Sequence, residues 1–278
     1  MEWYRDKKVV ITGGSSGIGR AAALFLARRG AEVCIIGRTR EKLDSALREI
    51  RSKASGDGRK SNAVQADVSD RRQLIAAAPS IVENLGGIDI LINCAGITHP
   101  AYIDKIPDAV WDDMMNVDYM GTVNAVRAFL PWFMKQRRGH IANVSSVVGY
   151  MGVFGYAAYA AAKFAVVGFS ECLRQDLLPY NINVSVIYPP DTDTPQWHGE
   201  NKIKPPETKA LSGNIKVMSP EKVASALLKG IAERRFAIVP GVMNKFTYFM
   251  NRHFPGIVWN IVSGDLRKYW RKHPADAH

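Results

Sequence analysis

Thr12-Gly13-Gly14-Ser15-Ser16-Gly17-Ile18-Gly19 follows a short apolar run at residues 9–12 and opens a helical pattern at Gly17. Glycines in such a stretch allow a tight turn and a close approach of the backbone to a ligand. The N-terminus of the helix offers free N–H groups to a pyrophosphate. The stretch therefore predicts a dinucleotide site between a first strand and a first helix, with contacts from Gly13 and from Ser15 through Gly19.

Short β-branched runs alternate with helical patterns along the rest of the chain. Strands are predicted over residues 9–12, 32–36, 63–66, 88–93, 140–145, 183–188 and 236–239. Helices are predicted over residues 17–29, 40–52, 71–85, 111–137, 157–178 and 220–233. Near-continuous apolar strands between helices are typical of a parallel sheet covered on both faces. We expect one Rossmann-type, doubly wound α/β sheet of about seven strands, with ligands at their carboxyl ends.

The chain has 278 residues, 47% of them hydrophobic, which is enough for one substantial core. We divide it into a nucleotide-binding domain, residues 1–240, and a basic aromatic tail, residues 241–278. Residues 191–218 show no strong periodicity and carry three prolines. A loop of that length is commonly a functional lid, and we assign it to the substrate side of the domain.

Composition excludes several other classes. The net charge is +11, but the chain carries no helix-turn-helix, zinc-finger or RNA-binding signature, so we expect no nucleic-acid partner. The three cysteines lack metal-ligand spacing, and we expect no metal. The start lacks the apolar region of a secretory signal, and no run is long and apolar enough for a transmembrane helix. These features predict a cytoplasmic protein, with the membrane surface as a further location.

The local excess of positive charge lies at the C-terminus. Residues 234–278 contain eight Lys or Arg against two acids, with aromatic residues interleaved. Basic and aromatic residues together favour peripheral contact with an anionic membrane. Packing of the tail on its own domain or on a subunit partner explains the pattern equally well, and both interpretations stay open.

The end of the second predicted strand indicates which dinucleotide is bound. An NAD site places an acid there to bind the ribose 2′-hydroxyl, whereas this chain has Gly37-Arg38-Thr39-Arg40. The guanidinium of Arg38 suits a 2′-phosphate, and Lys42 lies close enough in sequence to reach the same group. NADP(H) is therefore the predicted cofactor.

Two further motifs follow the third and fourth predicted strands. Asp67-Val68 is placed to bind the adenine edge. Asn93-Cys94-Ala95-Gly96 is placed to pack its backbone against the adenosine ribose. Both belong to the same carboxyl edge of the predicted sheet.

Ser146, Tyr159 and Lys163 are the candidate catalytic residues. Tyr159 and Lys163 are four residues apart, so on a helix they share one face. The lysine ammonium favours the phenolate and lowers the pKa of the tyrosine from about 10, which suits proton exchange with a carbonyl oxygen or an alcohol. Tyr156 is excluded because Ala160, rather than a lysine, lies four residues beyond it.

Together these motifs resemble the short-chain dehydrogenase/reductase family over residues 8–239. The stretches that carry the resemblance are TGGSSGIG, DV, NCAG, Asn116, Ser146 and YAAAK. The resemblance implies that Tyr159 is the general acid and base and that Ser146 binds the substrate oxygen. It also implies that Lys163 holds the nicotinamide ribose and that Asn116 anchors a water in the proton relay. Family members usually pair through helices that correspond to residues 111–137 and 157–178, which implies a homodimer or homotetramer.

The segment after the sixth predicted strand narrows the resemblance. Tyr188-Pro189-Pro190-Asp191-Thr192-Asp193-Thr194-Pro195, with Glu200-Asn201 and residues 204–208, resembles the 3-ketodihydrosphingosine reductase branch. That branch reduces a long-chain 3-keto amine with NADPH, which implies a keto-lipid substrate. Pro189, Thr192 and Thr194 are expected beside the nicotinamide.

The remaining substrate contacts are predicted around the catalytic residues. Ser145, Ser146 and Tyr159 form the polar end of the cleft, while Tyr150 and Phe154, with Met151 and Val153 near them, suit an alkyl chain. Ordinary core or dimer packing explains these apolar residues nearly as well. A reductase of another ketone, such as a steroid, a 3-oxoacyl thioester or a xenobiotic carbonyl, stays open as the alternative.

Overall fold

The computed structural model describes residues 2–56, 60–213 and 216–274. The strands are β1 (Lys8–Thr12), β2 (Glu32–Gly37), β3 (Asn62–Gln65), β4 (Ile90–Asn93), β5 (Gly139–Val144), β6 (Ile182–Ile187) and β7 (Ala237–Ile238). All neighbouring strands pair in parallel, in the order β3-β2-β1-β4-β5-β6-β7. The predicted Rossmann-type sheet is therefore confirmed.

The helices between and after these strands fall close to their predicted positions. They are α1 (Gly17–Ala27), α2 (Arg40–Ser52), α3 (Arg71–Leu85), α4 (Asp108–Met114), α5 (Gly121–Gln136), α6 (Ala157–Asp176), α7 (Pro195–Ile203), α8 (Pro206–Ser212), α9 (Pro220–Ala232), α10 (Val242–His253) and α11 (Pro255–Lys272). The helix expected over residues 111–137 is divided by a π-helical turn at Met115–Met120. Single π turns inside helices are frequent at functional sites.

Helices cover the sheet on both faces. α1, α2 and α9 cover one face, where Leu26, Leu43 and Leu227 are fully buried. α3, α5 and α6 cover the other, where Leu74 and Phe129 are fully buried. Burial of each such side chain stabilises the fold by about 1.5–3 kcal/mol. The two layers fix the strands whose carboxyl ends form the site.

The topology opens a crevice at one edge of the sheet. β2 and β3 extend from β1 in one direction, whereas β4 and the later strands extend in the other. Thr12 pairs with Ile36 on one side and with Asn93 on the other. The loops that leave these strands diverge, and ligands of doubly wound sheets bind at such a switch point.

Residues 191–218 differ from the predicted loop because they contain α7 and α8. Thr194 caps α7 by accepting a hydrogen bond from the Trp197 N–H at 3.2 Å, and Pro195 is the first residue of the helix. A threonine N-cap followed by proline is a strong helix start, so the prolines begin helices here. Residues 214–215 lie outside the described part of the chain.

The tail consists of α10 and α11, and it packs on the domain; its last four positions, 275–278, lie outside the described residues. Asn251 donates a hydrogen bond to the Tyr150 carbonyl at 2.6 Å, and Tyr248 packs against the Tyr150 and Tyr188 rings. Among the described residues, none of the helices has both the length and the apolar character that spanning a bilayer requires. Packing on the domain, one of the two predicted interpretations of the tail, therefore applies to its inner side.

Candidate active site

The glycine-rich turn after β1 brings the backbone unusually close to the loop after β4. Gly13 has a φ of +69°, and a Cβ on it would lie 2.7 Å from the Ala95 Cα. A Cβ on Gly19 would lie 2.4 Å from the Gly13 carbonyl oxygen. Ser16 occupies the N-cap of α1 without a side-chain cap hydrogen bond, which leaves first-turn N–H groups available to an anion. The turn fits a dinucleotide pyrophosphate.

The arginines after β2 have different surroundings. The Arg40 guanidinium is held by Asp44, one turn further along α2, at 3.0 Å. Arg38 is exposed, and its NH1 lies 4.0 Å from the Asp67 Oδ2. Lys42 is exposed on the first turns of α2. Arg38 is thus less closely paired than Arg40, and the predicted contact of Arg38 and Lys42 with a 2′-phosphate stays a prediction.

The residues after β3 are fixed by local hydrogen bonds. Asp67 Oδ1 accepts hydrogen bonds from the Ser69 N–H and hydroxyl, at 2.9 and 2.7 Å. The Val68 carbonyl accepts one from Asn124 at 3.0 Å. A Cβ on Gly121 would lie 2.6 Å from the Val68 Cγ2, so the Val68 side chain also packs closely against the Gly121 backbone. The pair is rigid at the edge where an adenine is predicted.

The loop after β4 is tied to β1. Thr12 Oγ1 accepts hydrogen bonds from the Cys94 and Ala95 N–H groups, at 3.2 and 3.3 Å. Asn93 is buried and donates to Asn143 Oδ1 at 2.9 Å, which bridges β4 to β5. Its side chain is therefore structural, while Ala95 and Gly96 line the cavity described below.

Ser146, Tyr159 and Lys163 are brought together at the carboxyl end of β5. Lys163 Nζ lies 5.5 Å from the centroid of the Tyr159 ring, one helical turn apart on α6. The same ammonium donates to the Val144 carbonyl at 3.2 Å. A hydrogen bond with Ser146 lowers the pKa of Tyr159. The predicted serine, tyrosine and lysine thus form one contact group.

The pKa of Tyr159 differs from the sequence expectation. Burial raises it to about 12, and the negative charges of Asp118 and Glu200 act in the same direction. The Lys163 ammonium and the Ser146 hydrogen bond lower it but do not outweigh burial. At neutral pH the phenol is therefore protonated, which suits a proton donor.

Ser145 and Ser146 have separate functions. Ser145 is buried and donates a hydrogen bond to the Lys163 carbonyl at 3.0 Å. Its hydroxyl therefore fixes α6 against β5, although the residue borders the cavity. Ser146 faces Tyr159, in agreement with the spacing of thirteen residues between them.

The π turn places an acid, Asp118, against Lys163, whereas Asn116 has a different position. Asp118 is fully buried, and its Oδ1 lies 3.0 Å from Lys163 Nζ. Asn116 is exposed, and its carbonyl accepts the π-type hydrogen bond from the Gly121 N–H. The wider turn shifts the residues that face α6, so Asp118 occupies the inward side. The water-anchoring role of Asn116 stays a prediction.

The loop after β6 borders the nucleotide turn. Thr192 is buried and donates a hydrogen bond to the Pro190 carbonyl at 2.7 Å. Thr194 caps α7, and its Cγ2 would lie 3.1 Å from a Cβ on Gly17. Pro189, Thr192 and Thr194 all line the cavity, which is where the sequence placed the nicotinamide.

A cavity of about 390 Å³ joins these parts. It extends from the glycine-rich turn past Ser146, Tyr159 and Lys163 to α7, α8 and the tail helices. Met151 and Val153 line it, as the sequence predicted for an apolar wall. The tail contributes Asn244, Val262 and Asp265 to its lining.

Tyr150 and Phe154, unlike Met151 and Val153, make aromatic contacts outside the lining of the cavity. The Tyr150 ring packs against Tyr188 at 5.5 Å, and the Phe154 ring packs against Tyr102 at 6.0 Å and Trp270 at 5.9 Å. Neither residue belongs to the lining of the cavity. Their role as substrate contacts stays a prediction.

α11 is attached to α8 through a buried acid. Glu207 is 1% exposed and accepts hydrogen bonds from the Tyr102 hydroxyl at 3.0 Å and the Trp270 Nε1 at 3.1 Å. The phenol and indole donors satisfy the buried carboxylate, which would otherwise carry a large desolvation cost. The tail is thereby held beside the cavity.

Sequence reasoning missed Asp118 and a polar cluster around Glu200. For Asp118 the only local signal is an acid two residues beyond Asn116, inside an otherwise apolar stretch. For Glu200 the signal is stronger, since Thr194-Pro195 predicts a helix start and Lys204 lies four residues after Glu200.

Comparison with known proteins supports this geometry. A family model described as short chain dehydrogenase matches residues 7–204. The chain is 37% identical over 229 residues to the 3-ketodihydrosphingosine reductase of Bos taurus, an alignment that covers 82% of this chain and 69% of that protein. It is 38% identical over 189 residues to the 3-oxoacyl-(acyl-carrier-protein) reductase FabG of Thermotoga maritima, covering 68% of this chain and 75% of that protein.

A solved structure is similar as well. A short chain dehydrogenase/reductase from Burkholderia phymatum in complex with NAD aligns with a TM-score of 0.75 at 26% identity. The alignment covers 85% of this chain and 89% of that chain. Because the family model spans well over half of the chain and the glycine turn fits a dinucleotide, the chain belongs to the short-chain dehydrogenase/reductase family and is a nicotinamide-dependent oxidoreductase.

Proposed function

We propose that the protein reduces a long-chain 3-keto amine of the 3-ketodihydrosphingosine class to the amino alcohol, with NADPH as cofactor. The observation that carries the proposal is one cavity with a protonated phenol, Tyr159, and an apolar wall that includes Met151, Val153 and Val262. The Bos taurus relative is named for this substrate, which also supports the proposal.

Tyr159 supplies the proton in the proposed reaction. We place the substrate carbonyl oxygen against the hydroxyls of Tyr159 and Ser146, which stabilise the negative charge that develops on it. When bound, the reduced nicotinamide supplies the hydride that the carbonyl carbon accepts. Tyr159 then gives its proton to the oxygen, which completes the secondary alcohol. The Lys163 ammonium stabilises the phenolate that remains.

The preference for NADPH rests on the surroundings of Arg38. Its guanidinium lies 4.0 Å from the Asp67 carboxylate at the end of β2, whereas the neighbouring Arg40 is held more closely, 3.0 Å from Asp44. A planar guanidinium binds phosphate in a bidentate manner and remains charged at every physiological pH. Arg38 therefore favours a 2′-phosphate over a 2′-hydroxyl.

The experiment that tests the proposed function is NADPH oxidation with a panel of ketones. The panel contains a long-chain 3-keto amine, a steroid ketone, a 3-oxoacyl thioester and a small aromatic ketone. We expect the highest kcat/KM for the keto amine, because its chain fits the apolar wall. A higher kcat/KM for any other member would assign the protein to that substrate class instead.

Reduction of a 3-oxoacyl thioester is the second candidate function. The specific observation in its favour is the 38% identity to the Thermotoga maritima reductase. That alignment covers 68% of this chain, less than the 82% that the Bos taurus alignment covers, so the keto amine stays the first candidate. The ketone panel distinguishes the two.

We further propose that the outer side of α10 and α11, called here the outer tail face, contacts an anionic membrane. More than half of the large apolar side chains that are exposed on the described residues belong to α10, to α11 or to the residue between them. They are Val242, Met243, Phe246, Phe249, Phe254, Ile257, Trp259 and Ile261. Lys and Arg residues on the same helices provide the charge for anionic lipid. A keto-lipid substrate would then lie close to the cavity that these helices border.

A homo-oligomer formed through α5 and α6 is also proposed. Ala161, Phe164 and Gly168 are exposed on α6, and Met120 is exposed just before α5. A Cβ on Gly168 would meet open space, so this side of α6 is flat and apolar. Such a surface supports packing against a second copy. Light scattering of the full chain and of Phe164→Asp tests it, and an unchanged mass would contradict the interface.

A further inference from the structure

A cluster of charged and polar residues lies beside Tyr159, the proposed proton donor. Glu200 on α7 is 8% exposed, and its Oε1 accepts a hydrogen bond from the Tyr156 hydroxyl at 2.9 Å. Lys204 Nζ lies 2.8 Å from the same Oε1, and the lysine side chain is 1% exposed. Asp191 Oδ2 lies 3.8 Å from Lys204 Nζ. We call Tyr156, Asp191, Glu200 and Lys204 the α7 cluster.

The α7 cluster borders the reacting centre. All four residues line the same cavity as Ser146 and Tyr159. The Tyr156 and Tyr159 rings are 6.0 Å apart between centroids. The charge of Glu200 reaches Tyr159, since it contributes to the raised pKa of that phenol. We therefore expect a ligand group one carbon away from the reacting carbonyl to reach Glu200.

The charges of the cluster do not balance. Two carboxylates, Asp191 and Glu200, share a single ammonium, Lys204. Asp265 from the tail, an exposed residue, adds a further carboxylate at the border of the cavity. Both Tyr156 and Lys204 bind Oε1 of Glu200, and a carboxylate has a second oxygen that can accept further hydrogen bonds. Glu200 is buried and the Asp191 side chain is 30% exposed, so the excess negative charge favours a cation on this side of the cavity.

Trp197 provides an independent indication of a polar ligand. Its Nε1 is buried and has no hydrogen-bond partner among the described residues, although the side chain lines the same cavity. A buried indole N–H is nearly always satisfied. An acceptor on the ligand, such as a hydroxyl group next to an amine, would satisfy it.

We infer that Asp191 and Glu200 bind the ammonium group of an amino ketone whose amine lies on the carbon next to the reacting carbonyl, with Trp197 donating to its terminal hydroxyl. The inference rests on the proposed function for its substrate class and adds how that class is recognised. Lys204 and Tyr156 hold Glu200 in place in this arrangement. The neutral Tyr156 hydroxyl donates to Glu200 and remains protonated, because burial and the two nearby carboxylates raise its pKa.

The other interpretation is that the cluster only braces α7 against the start of α6. The two interpretations are distinguished by comparing the turnover of two substrates by the same variant. The first substrate is a long-chain 2-amino-3-ketone, and the second is the same ketone with hydrogen in place of the amine. Recognition of the ammonium changes the ratio of the two kcat/KM values, whereas a weakened brace lowers both values together.

We expect Glu200→Gln to lower this ratio by about 10- to 100-fold, the usual effect of losing a charged hydrogen bond. Asp191→Asn should lower it in the same direction and provides a second variant if Glu200→Gln fails to fold. Asp193→Asn is the matched control, because its carboxylate pairs with His198 on the surface. An unchanged ratio in both Glu200→Gln and Asp191→Asn would overturn the inference.

A second measurement separates this inference from the proposed function. Dodecylamine and dodecan-1-ol are compared as inhibitors of NADPH oxidation with any ketone that the wild-type protein reduces. We expect tighter inhibition by the amine, and Glu200→Gln should remove that advantage. If the amino ketone is not a substrate but the amine advantage is present, the proposed function fails while the subsite stands. Equal inhibition of the wild-type protein by both compounds would overturn the subsite, whichever ketone is reduced.

Discussion

Lys163 Nζ lies 3.0 Å from Asp118 Oδ1, and both side chains are buried. The same Oδ1 accepts a hydrogen bond from the Ile97 N–H at 3.2 Å, so the carboxylate is held by the loop after β4. Burial alone would lower the pKa of Lys163, but the charges of Asp118 and Tyr159 raise it above its ordinary value. Asp118 therefore keeps Lys163 protonated and also raises the pKa of Tyr159.

Asp118→Asn should shift the pH profile of alcohol oxidation to lower pH. Oxidation needs the Tyr159 phenolate, so its kcat/KM rises with pH as the phenol ionises. The substituted amide would retain an oxygen that accepts from Lys163 but would lose the negative charge that raises the pKa of Tyr159. We expect the rise of kcat/KM with pH to occur about one pH unit lower than in the wild-type protein.

Asp113→Asn is the matched control for that shift. Asp113 is exposed on α4, so removal of its charge should not change the pH dependence of kcat/KM for alcohol oxidation. A shift of this rise to higher pH in Asp118→Asn would instead indicate that Lys163 loses its charge when the carboxylate is removed. That outcome would confirm that Asp118 keeps Lys163 protonated, whereas an unmoved rise would contradict the effect of the Asp118 charge on the pKa of Tyr159.

Tyr159→Phe should bind NADPH but reduce ketones about 10²- to 10⁴-fold more slowly. The change removes the proton donor and keeps the aromatic ring next to Lys163. Stopped-flow or steady-state NADPH oxidation measures the rate, and quenching of protein fluorescence measures cofactor affinity. Tyr180→Phe, which removes a phenol beyond the end of α6, should turn over normally. Near wild-type reduction by Tyr159→Phe would exclude the proposed proton transfer.

Much of the site could be predicted because local patterns determine it. Near-continuous apolar runs between helices imply a parallel sheet, and ligand residues then follow at the strand ends. The spacing of Tyr159 and Lys163 on α6 was enough to identify both residues, and the position of Ser146 after β5 was enough to identify the serine. The pKa of Tyr159 could not be predicted in the same way, since burial by distant elements outweighs the neighbouring ammonium.

Contacts between distant segments account for the rest. Asp118 meets Lys163 only because a π turn changes which residues face α6, and the sequence carries no periodicity that announces such a turn. Glu207 meets Trp270 of the tail across 63 residues of sequence. The tail was predicted either to contact a membrane or to pack on the domain, and its inner side does the latter.

Arg38→Asp should shift cofactor preference towards NADH. The aspartate would repel a 2′-phosphate and accept a hydrogen bond from a ribose 2′-hydroxyl. We expect the ratio of kcat/KM for NADPH over NADH to fall by about 10- to 100-fold, as for loss of a charged hydrogen bond. Arg40→Asp makes the same charge change two residues away, where the arginine is paired with Asp44. Equal shifts in both variants would show that long-range charge, rather than Arg38 itself, sets the preference.

Substitutions on the outer tail face should weaken membrane binding and leave the turnover of the protein unchanged. Phe246 and Trp259 are 59% and 68% exposed. Replacing both with Ser removes apolar area that a bilayer would cover, so co-sedimentation with anionic vesicles should fall several-fold. Leu178→Ser is the control, since Leu178 is 72% exposed but lies just after the end of α6. Absence of vesicle binding by the wild-type protein, or equal binding by the double variant, would contradict the membrane proposal.

His140 should make the fold less stable in acid. It is buried on β5, its Nε2 lies 2.7 Å from the Ser185 Oγ, and burial with the nearby Arg234 charge lowers its pKa to about 4. Below its ordinary pKa of about 6.5, the unfolded chain binds a proton that the folded chain does not, so stability is lost as the pH falls. Between pH 7 and pH 5 this group should lower the free energy of unfolding by about 2 kcal/mol.

Urea unfolding at both pH values measures this contribution in the wild-type protein and in His140→Gln. Because other groups also titrate, the quantity of interest is the pH-dependent loss in the wild-type protein minus the loss in the variant. His253→Gln removes an exposed histidine from α10. This control variant should lose as much unfolding free energy between pH 7 and pH 5 as the wild-type protein does. If His140→Gln loses as much stability on acidification as the wild-type protein does, His140 must take up its proton in the folded state, and burial does not hold it neutral.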